Sequence, residues 1–174
     1  MKTILALDLA SVSGWAFGEP GGEPRHGTIR FASSGASHEA VFAGAMNWMN
    51  KMVTERQVDI VVWEAPLAAS FKRGTTNINT TTLLYGLPAV IGAVAYHGGI
   101  HDLYKADTKA VRLHFIGGNP PRDIAKKLTK YQCGKMGWKV SDDNEADALA
   151  TWSYMCSLLE PKLAVLPMPL FGVH

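Results

Sequence analysis

The run Lys2-Thr-Ile-Leu-Ala-Leu-Asp8 is apolar up to its last residue, an acid, and is followed by a Ser/Gly turn and a second apolar run, Gly14-Trp-Ala-Phe-Gly18. A carboxylate at the end of a buried strand is costly unless a cation or hydrogen bonds meet it. The chain must therefore bury a strand, turn back at once and find a partner for Asp8. Two more acids sit in comparable settings. Glu64 ends the apolar run Asp59-Ile-Val-Val-Trp63, and Asp147 lies within Asp142-Asp-Asn-Glu-Ala-Asp-Ala-Leu-Ala150, which reads as helix. Brought together, the three would make a divalent-metal site.

Residues 3 to 9, 13 to 18 and 26 to 32 read as three short strands joined by turns rich in Ser, Gly and Pro, the signature of an antiparallel meander. From Ser37 to Arg56 the apolar residues Val41, Phe42, Ala45, Trp48, Met49 and Met52 recur at helical spacing, with Ser37 placed to cap. That stripe reads as core. A buried strand over 58 to 63 leads to a polar, basic loop over 66 to 79, long enough to suspect function. Residues 80 to 97 read as a helix apolar on most sides, interrupted by Gly86 and Pro88. Such a helix must be covered on more than one face, which makes it a candidate subunit interface. A short strand from Ile100 to Tyr104, a helix capped by Asp107 or Thr108 and running to about Phe115, and a basic helix from Pro121 to Lys135 follow. Asp142 with Glu145 forms an Asp-x-x-Glu capping pattern that opens a last helix to Leu159.

At 174 residues the chain is expected to form one domain over residues 1 to 160, with an irregular Pro-rich tail over 161 to 174. Its 47% hydrophobic and 18% charged residues suit a globular protein, and no apolar stretch reaches spanning length without a polar or glycine break. The opening residues lack the length and cleavage pattern of a signal peptide, so a cytoplasmic protein with no membrane partner is expected. Cys133 and Cys156 have neither close spacing nor neighbouring metal-ligand histidines, and read as two free thiols.

The net charge of +2 is unevenly divided: residues 101 to 139 hold nine Lys and Arg against three acids. Such a stretch can be the solvated faces of two helices. Beside a carboxylate cluster it suits a polyanion held over metals. Each acid also has an innocent alternative. Asp8 could bond its own backbone in a turn, Glu64 could pair with a lysine, and Asp142, Asp143 and Glu145 could serve only at a helix start. Asp147 fits those roles least, because it stands among Ala146, Ala148, Leu149 and Ala150, and Asp143 or Asn144 projects beside it at helical spacing.

In these residues the sequence resembles the RuvC-type Holliday-junction resolvases. The matching pieces run in family order: Ile4 to Ala16, Val58 to Glu64, Gly86-Leu-Pro88, Thr108-Lys-Ala-Val-Arg112 with Gly117, and Asp143 to Ala150. The resemblance implies an α/β, ribonuclease H-like fold: a five-stranded mixed sheet, three strands antiparallel and then two parallel, flanked by helices. It implies that Asp8, Glu64 and Asp147 are catalytic metal-binding carboxylates, with a fourth ligand one turn before Asp147. The third residue upstream is Asn144 and the fourth is Asp143. Asp143 is the expectation, since a carboxylate supplies charge where an amide supplies only a dipole.

The function so implied is structure-selective endonucleolytic resolution of four-way DNA junctions by a homodimer, whose twofold axis would match that of the junction. Two Mg²⁺ ions about 3.5–4 Å apart would serve the scissile phosphate, with Mn²⁺ able to substitute because the ligands are hard oxygens. Lys109, Arg112, Arg122, Lys126 and Lys127 are expected to hold DNA backbone, and Phe71, with Lys72 and Arg73, to stack at the junction centre or to clasp its own loop. The competing readings are a ribonuclease H-like nuclease for other branched DNA or RNA–DNA hybrids, and a catalytically silent junction-binding protein.

Overall fold

The computed structural model describes residues 1–65 and 78–163. The chain begins with the strands β1 (Ile4–Asp8), β2 (Ser13–Gly18) and β3 (Arg25–Ile29), and continues through helix α1 (His38–Glu55) into β4 (Ile60–Glu64). Helix α2 (Ile78–His97), strand β5 (Asp102–Ala106) and helices α3 (Thr108–Ile116), α4 (Arg122–Lys135) and α5 (Asp143–Leu159) follow. The strands lie in the order β3-β2-β1-β4-β5. The pairs β3–β2 and β2–β1 are antiparallel, and β1–β4 and β4–β5 are parallel. This is the mixed sheet that the resemblance implies.

Alternation along the central strands divides the core into two layers, because successive side chains leave a strand on opposite faces. Ile4 and Ala6 of β1, with Ile60 and Val62 of β4, pack with Ala106 and with residues of α3, α4 and α5. Leu5 and Leu7, with Val61 and Trp63, pack instead against α1 and α2. Both faces of β1 are covered, which is why its sequence is apolar without interruption before Asp8.

Ser37 caps α1 by accepting from the Ala40 amide at 3.3 Å, and Ala45 and Met49 of the expected stripe are buried. Asp107, rather than Thr108, caps α3, accepting from the Ala110 amide at 2.9 Å. Cys133 and Cys156 are free and buried. Two strand boundaries differ from expectation. β3 pairs with β2 only as far as Ile29, after which Phe31 turns inward to meet Trp48 edge-on at 5.9 Å. β5 runs from 102 to 106 because Ile100 still belongs to the end of α2: its amide bonds the Ala95 carbonyl after the chain reverses at Gly99, whose φ is +90°.

Among the described residues, α2 is the one helix long and apolar enough to cross a membrane. Its buried stripe is narrow, Leu87, Ile91 and Ala95, and packs into the layer shared with α1. Where α1 and α2 meet, the Phe42 ring occupies the space that a side chain at Gly86 would need: a Cβ there would lie 2.3 Å from Phe42 Cζ.

Candidate active site

β1 and β4 pair in parallel through Ile4–Ile60 and on to Leu7–Trp63, so the next step along both strands sets Asp8 beside Glu64 at the carboxyl end of the sheet. Both acids fall on the face that carries α5, two residues on from Ala6 and Val62, which are buried in that layer. Trp152 anchors α5 across this face, donating from Nε1 to the Gly18 carbonyl at 3.2 Å and meeting Trp138 edge-on. At the other end of β2, Gly14 stands opposite Asp8 and lies against the backbone of Asn144. The helix start is thereby pressed onto the strand end that carries the acid.

Asp147, one turn into α5, shares the electrostatic environment of the two strand acids. Burial first, then the charges of Asp147 and Glu64, push the Asp8 carboxyl up to about 8, against the pull of Lys126 and Arg122. Burial, with Glu64, pushes Asp147 up to about 7, opposed by Lys126 and Arg112. Burial also raises Glu64, opposed by Arg112 and by a hydrogen bond from the Thr108 hydroxyl at 3.0 Å. The carboxylates thus repel one another in a poorly solvated place. Among the described residues, no three His, Cys, Asp or Glu side chains already stand as close as a closed coordination cage requires. Their donor chemistry, carboxylate oxygens held beside one another at a cost, fits a hard divalent cation.

The two candidates for the fourth position are both engaged. Asp143 accepts from Lys126 Nζ at 2.9 Å and lies 3.5 Å from Lys130 Nζ, and the Lys126 bond leads in holding its carboxyl below the ordinary range. Asn144 donates from Nδ2 to the Val12 carbonyl at 2.9 Å, fastening α5 to the turn between β1 and β2. Asp143 therefore joins α5 to α4, and Asn144 joins α5 to the hairpin.

Of the cations expected to meet DNA, Arg112, Arg122 and Lys126 lie close enough to the carboxylates to lower their pKa values. Lys109 and Lys127 are exposed on α3 and α4. Phe71, Lys72 and Arg73 lie outside the described residues. Sequence reasoning passed over Lys130 as a site cation, although it stands one turn beyond Lys126. It read Thr108 only as a cap, and it gave Gly14 no part in the site. For Gly14 no local signal exists, since its requirement comes from a helix far along the chain.

No family model matches the chain, and no curated protein sequence matches it. Solved structures do match. The structure of RuvC from Thermus thermophilus has a TM-score of 0.67 at 12% identity, over 95% of this chain and 99% of that one. RuvC of T. thermophilus in complex with a Holliday-junction substrate matches with a TM-score of 0.65 at 12% identity, over 87% and 90% of the two chains. The yeast mitochondrial Holliday-junction resolvase matches with a TM-score of 0.56 at 12% identity, over 88% and 77%. With its sheet order and its helical layers, this chain has the ribonuclease H-like fold of the RuvC-type Holliday-junction resolvases.

Proposed function

We propose that this chain is a metal-dependent endodeoxyribonuclease that resolves four-way DNA junctions. The observation that carries the reading is the placement of Asp8 beside Glu64 at the carboxyl ends of two parallel strands, with Asp147 opposite and Arg112, Arg122 and Lys126 around them. The shared fold supports it, since one of the matching proteins was solved on a Holliday junction.

In this reading Asp8, Glu64 and Asp147 hold Mg²⁺, which when bound acidifies a coordinated water and offsets charge on the phosphate. Thr108 keeps Glu64 oriented through its hydroxyl. Arg112, Arg122 and Lys126, with the exposed Lys109 and Lys127, bind phosphates and so contribute affinity without reading sequence. Lys126 and Lys130 also hold Asp143, which would have to give up these pairs to serve as a fourth ligand.

Two active sites acting on a symmetric junction call for a homodimer. Helix α2 supplies a surface for it: its inner stripe is buried, while Ala89, Ala93 and Tyr96 face outward from a helix of high mean hydropathy. Residues 1 to 160 form the nuclease unit in this reading, and the Pro-rich residues 161 to 174 its tail.

The test is metal-dependent nicking of a synthetic four-way junction beside flap, RNA–DNA hybrid and linear duplex substrates. Symmetric nicks in the junction alone are expected, and equal cleavage of flap or hybrid would move the assignment to a broader ribonuclease H-like nuclease. The engagement of Asp143 by lysines and of Asn144 by Val12 favours one rival, a catalytically silent junction binder. Junction binding without nicking at any Mg²⁺ or Mn²⁺ concentration would establish it.

A further inference from the structure

Glu145 is an acid in the first turn of α5, yet it is only 5% exposed. One carboxylate oxygen, Oε1, lies 2.6 Å from Nδ1 of His26 on β3. The other, Oε2, accepts from both the backbone amide and the hydroxyl of Ser141, each at 2.6 Å. Both oxygens are thus filled, from an edge strand on one side and from the segment before α5 on the other.

Helix capping does not account for this arrangement. The Glu145 amide is already capped by Asp142 Oδ1 at 2.9 Å, and an acid at this position needs only one oxygen to reach back to the preceding backbone. A buried carboxylate that also reaches β3 ties the helix start to a strand two places away from β1 in the sheet. Residues advance by roughly 100° in a helix, so Glu145 points about 200° away from Asp143 and from the side on which Asp147 lies. Its grip therefore acts from the face opposite the candidate ligands. Together with the Gly14 contact and the Asn144–Val12 hydrogen bond, it fixes how far α5 is rotated about its own axis.

We propose that Glu145, gripped by His26 and Ser141, is a positioning residue that sets the rotation of α5 and so brings Asp147 to face Asp8 and Glu64. The proposal rests on the reading of those three acids as metal ligands. Groups that orient metal ligands without touching the ion change metal affinity by about 10–100-fold when removed.

Glu145→Ala would open a buried polar hole at a helix start and can fail to fold, so the test uses its partner His26, which lies on an edge strand with its side chain 18% exposed. His26→Ala removes the donor. His26→Asn restores one near the position of Nδ1. Mn²⁺ binding is measured by calorimetry for the wild type, both His26 variants and Asp8→Asn, well below each melting temperature, beside junction affinity in EDTA. The expected result is Mn²⁺ binding weakened about tenfold or more in His26→Ala, recovery to within about threefold in His26→Asn, and unchanged junction affinity in both. Wild-type Mn²⁺ affinity in His26→Ala, or no recovery in His26→Asn, overturns the positioning role while a loss in Asp8→Asn leaves the metal site standing. If Asp8→Asn also binds Mn²⁺ normally, the metal-site reading falls and the positioning role falls with it.

Discussion

A Cβ placed on Gly14 would lie 1.8 Å from the carbonyl oxygen of Asn144, so β2 and the first turn of α5 meet only because residue 14 has no side chain. The contact falls opposite Asp8 in the β1–β2 register. Gly14→Ala should lift α5 from the strand end, costing about 1–3 kcal/mol of stability by overpacking. Urea unfolding measures that cost. A Mg²⁺-induced rise in melting temperature should shrink in the same variant, and a stable variant with a full Mg²⁺ response would show that the close approach is dispensable.

Asp8→Asn should abolish nicking and leave junction binding intact, because the ligand goes while the cations of α3 and α4 remain. It should also stabilise the metal-free protein. The folded state holds the Asp8 proton up to about pH 8, from an ordinary value of 3.8, whereas the unfolded chain releases it near pH 4. Between those values the native state binds more protons than the unfolded state, so wild-type stability falls as pH rises and levels off above pH 8. The gain in Asp8→Asn should be absent near pH 4 and reach on the order of 5 kcal/mol above pH 8. Thermal melts in EDTA at pH 4.5 and pH 8.5 separate the two cases.

Metal affinity should carry the same protons with the opposite sign. Cations bind ionised carboxylates, and Asp8 and Asp147 are pushed up to about 8 and about 7. The Mg²⁺ concentration for half-maximal nicking should therefore fall about a hundredfold per pH unit below pH 7, about tenfold between pH 7 and pH 8, and flatten above pH 8. A Mg²⁺ requirement constant from pH 6 to pH 9 would show that these carboxyls do not hold the ion.

Asp143→Asn and Asn144→Ala distinguish the two candidates one turn before Asp147. Loss of the partly exposed pairs with Lys126 and Lys130 should cost Asp143→Asn only about 0.3–1 kcal/mol. Loss of the bond to Val12 should cost Asn144→Ala about 1 kcal/mol. Across a Mg²⁺ titration the larger activity loss is expected for Asp143→Asn. Normal turnover in that variant would assign the position to Asn144.

Junction affinity should fall steeply with salt, and each phosphate contact removed should lower the slope of log K against log salt by about 0.9. Arg122→Ala and Lys126→Ala test this at the two cations that lower the Asp8 pKa. A slope unchanged in the double variant would place the DNA elsewhere on the protein.

Local pattern in the sequence was enough for the elements themselves. The uninterrupted apolar runs before Asp8 and Glu64, the stripe through Ala45 and Met49, and the caps at Ser37 and Asp142 are short-range signals, set by side-chain period and by hydrogen bonds within one turn. They placed two acids at strand ends and a third one turn into a helix and, with the family resemblance, the order of the sheet. The electrostatics and the joints of the site were decided only by tertiary structure. Asp8 and Glu64 become neighbours through the parallel register of β1 and β4, and their raised pKa values come first from burial in the fold, which no local window contains. Gly14 reads as an ordinary strand residue until Asn144 is packed on it, and Glu145 reads as a capping acid until His26 arrives from an edge strand. The physical reason is range: propensity and periodicity act along the chain, whereas burial, charge and close approach act across it.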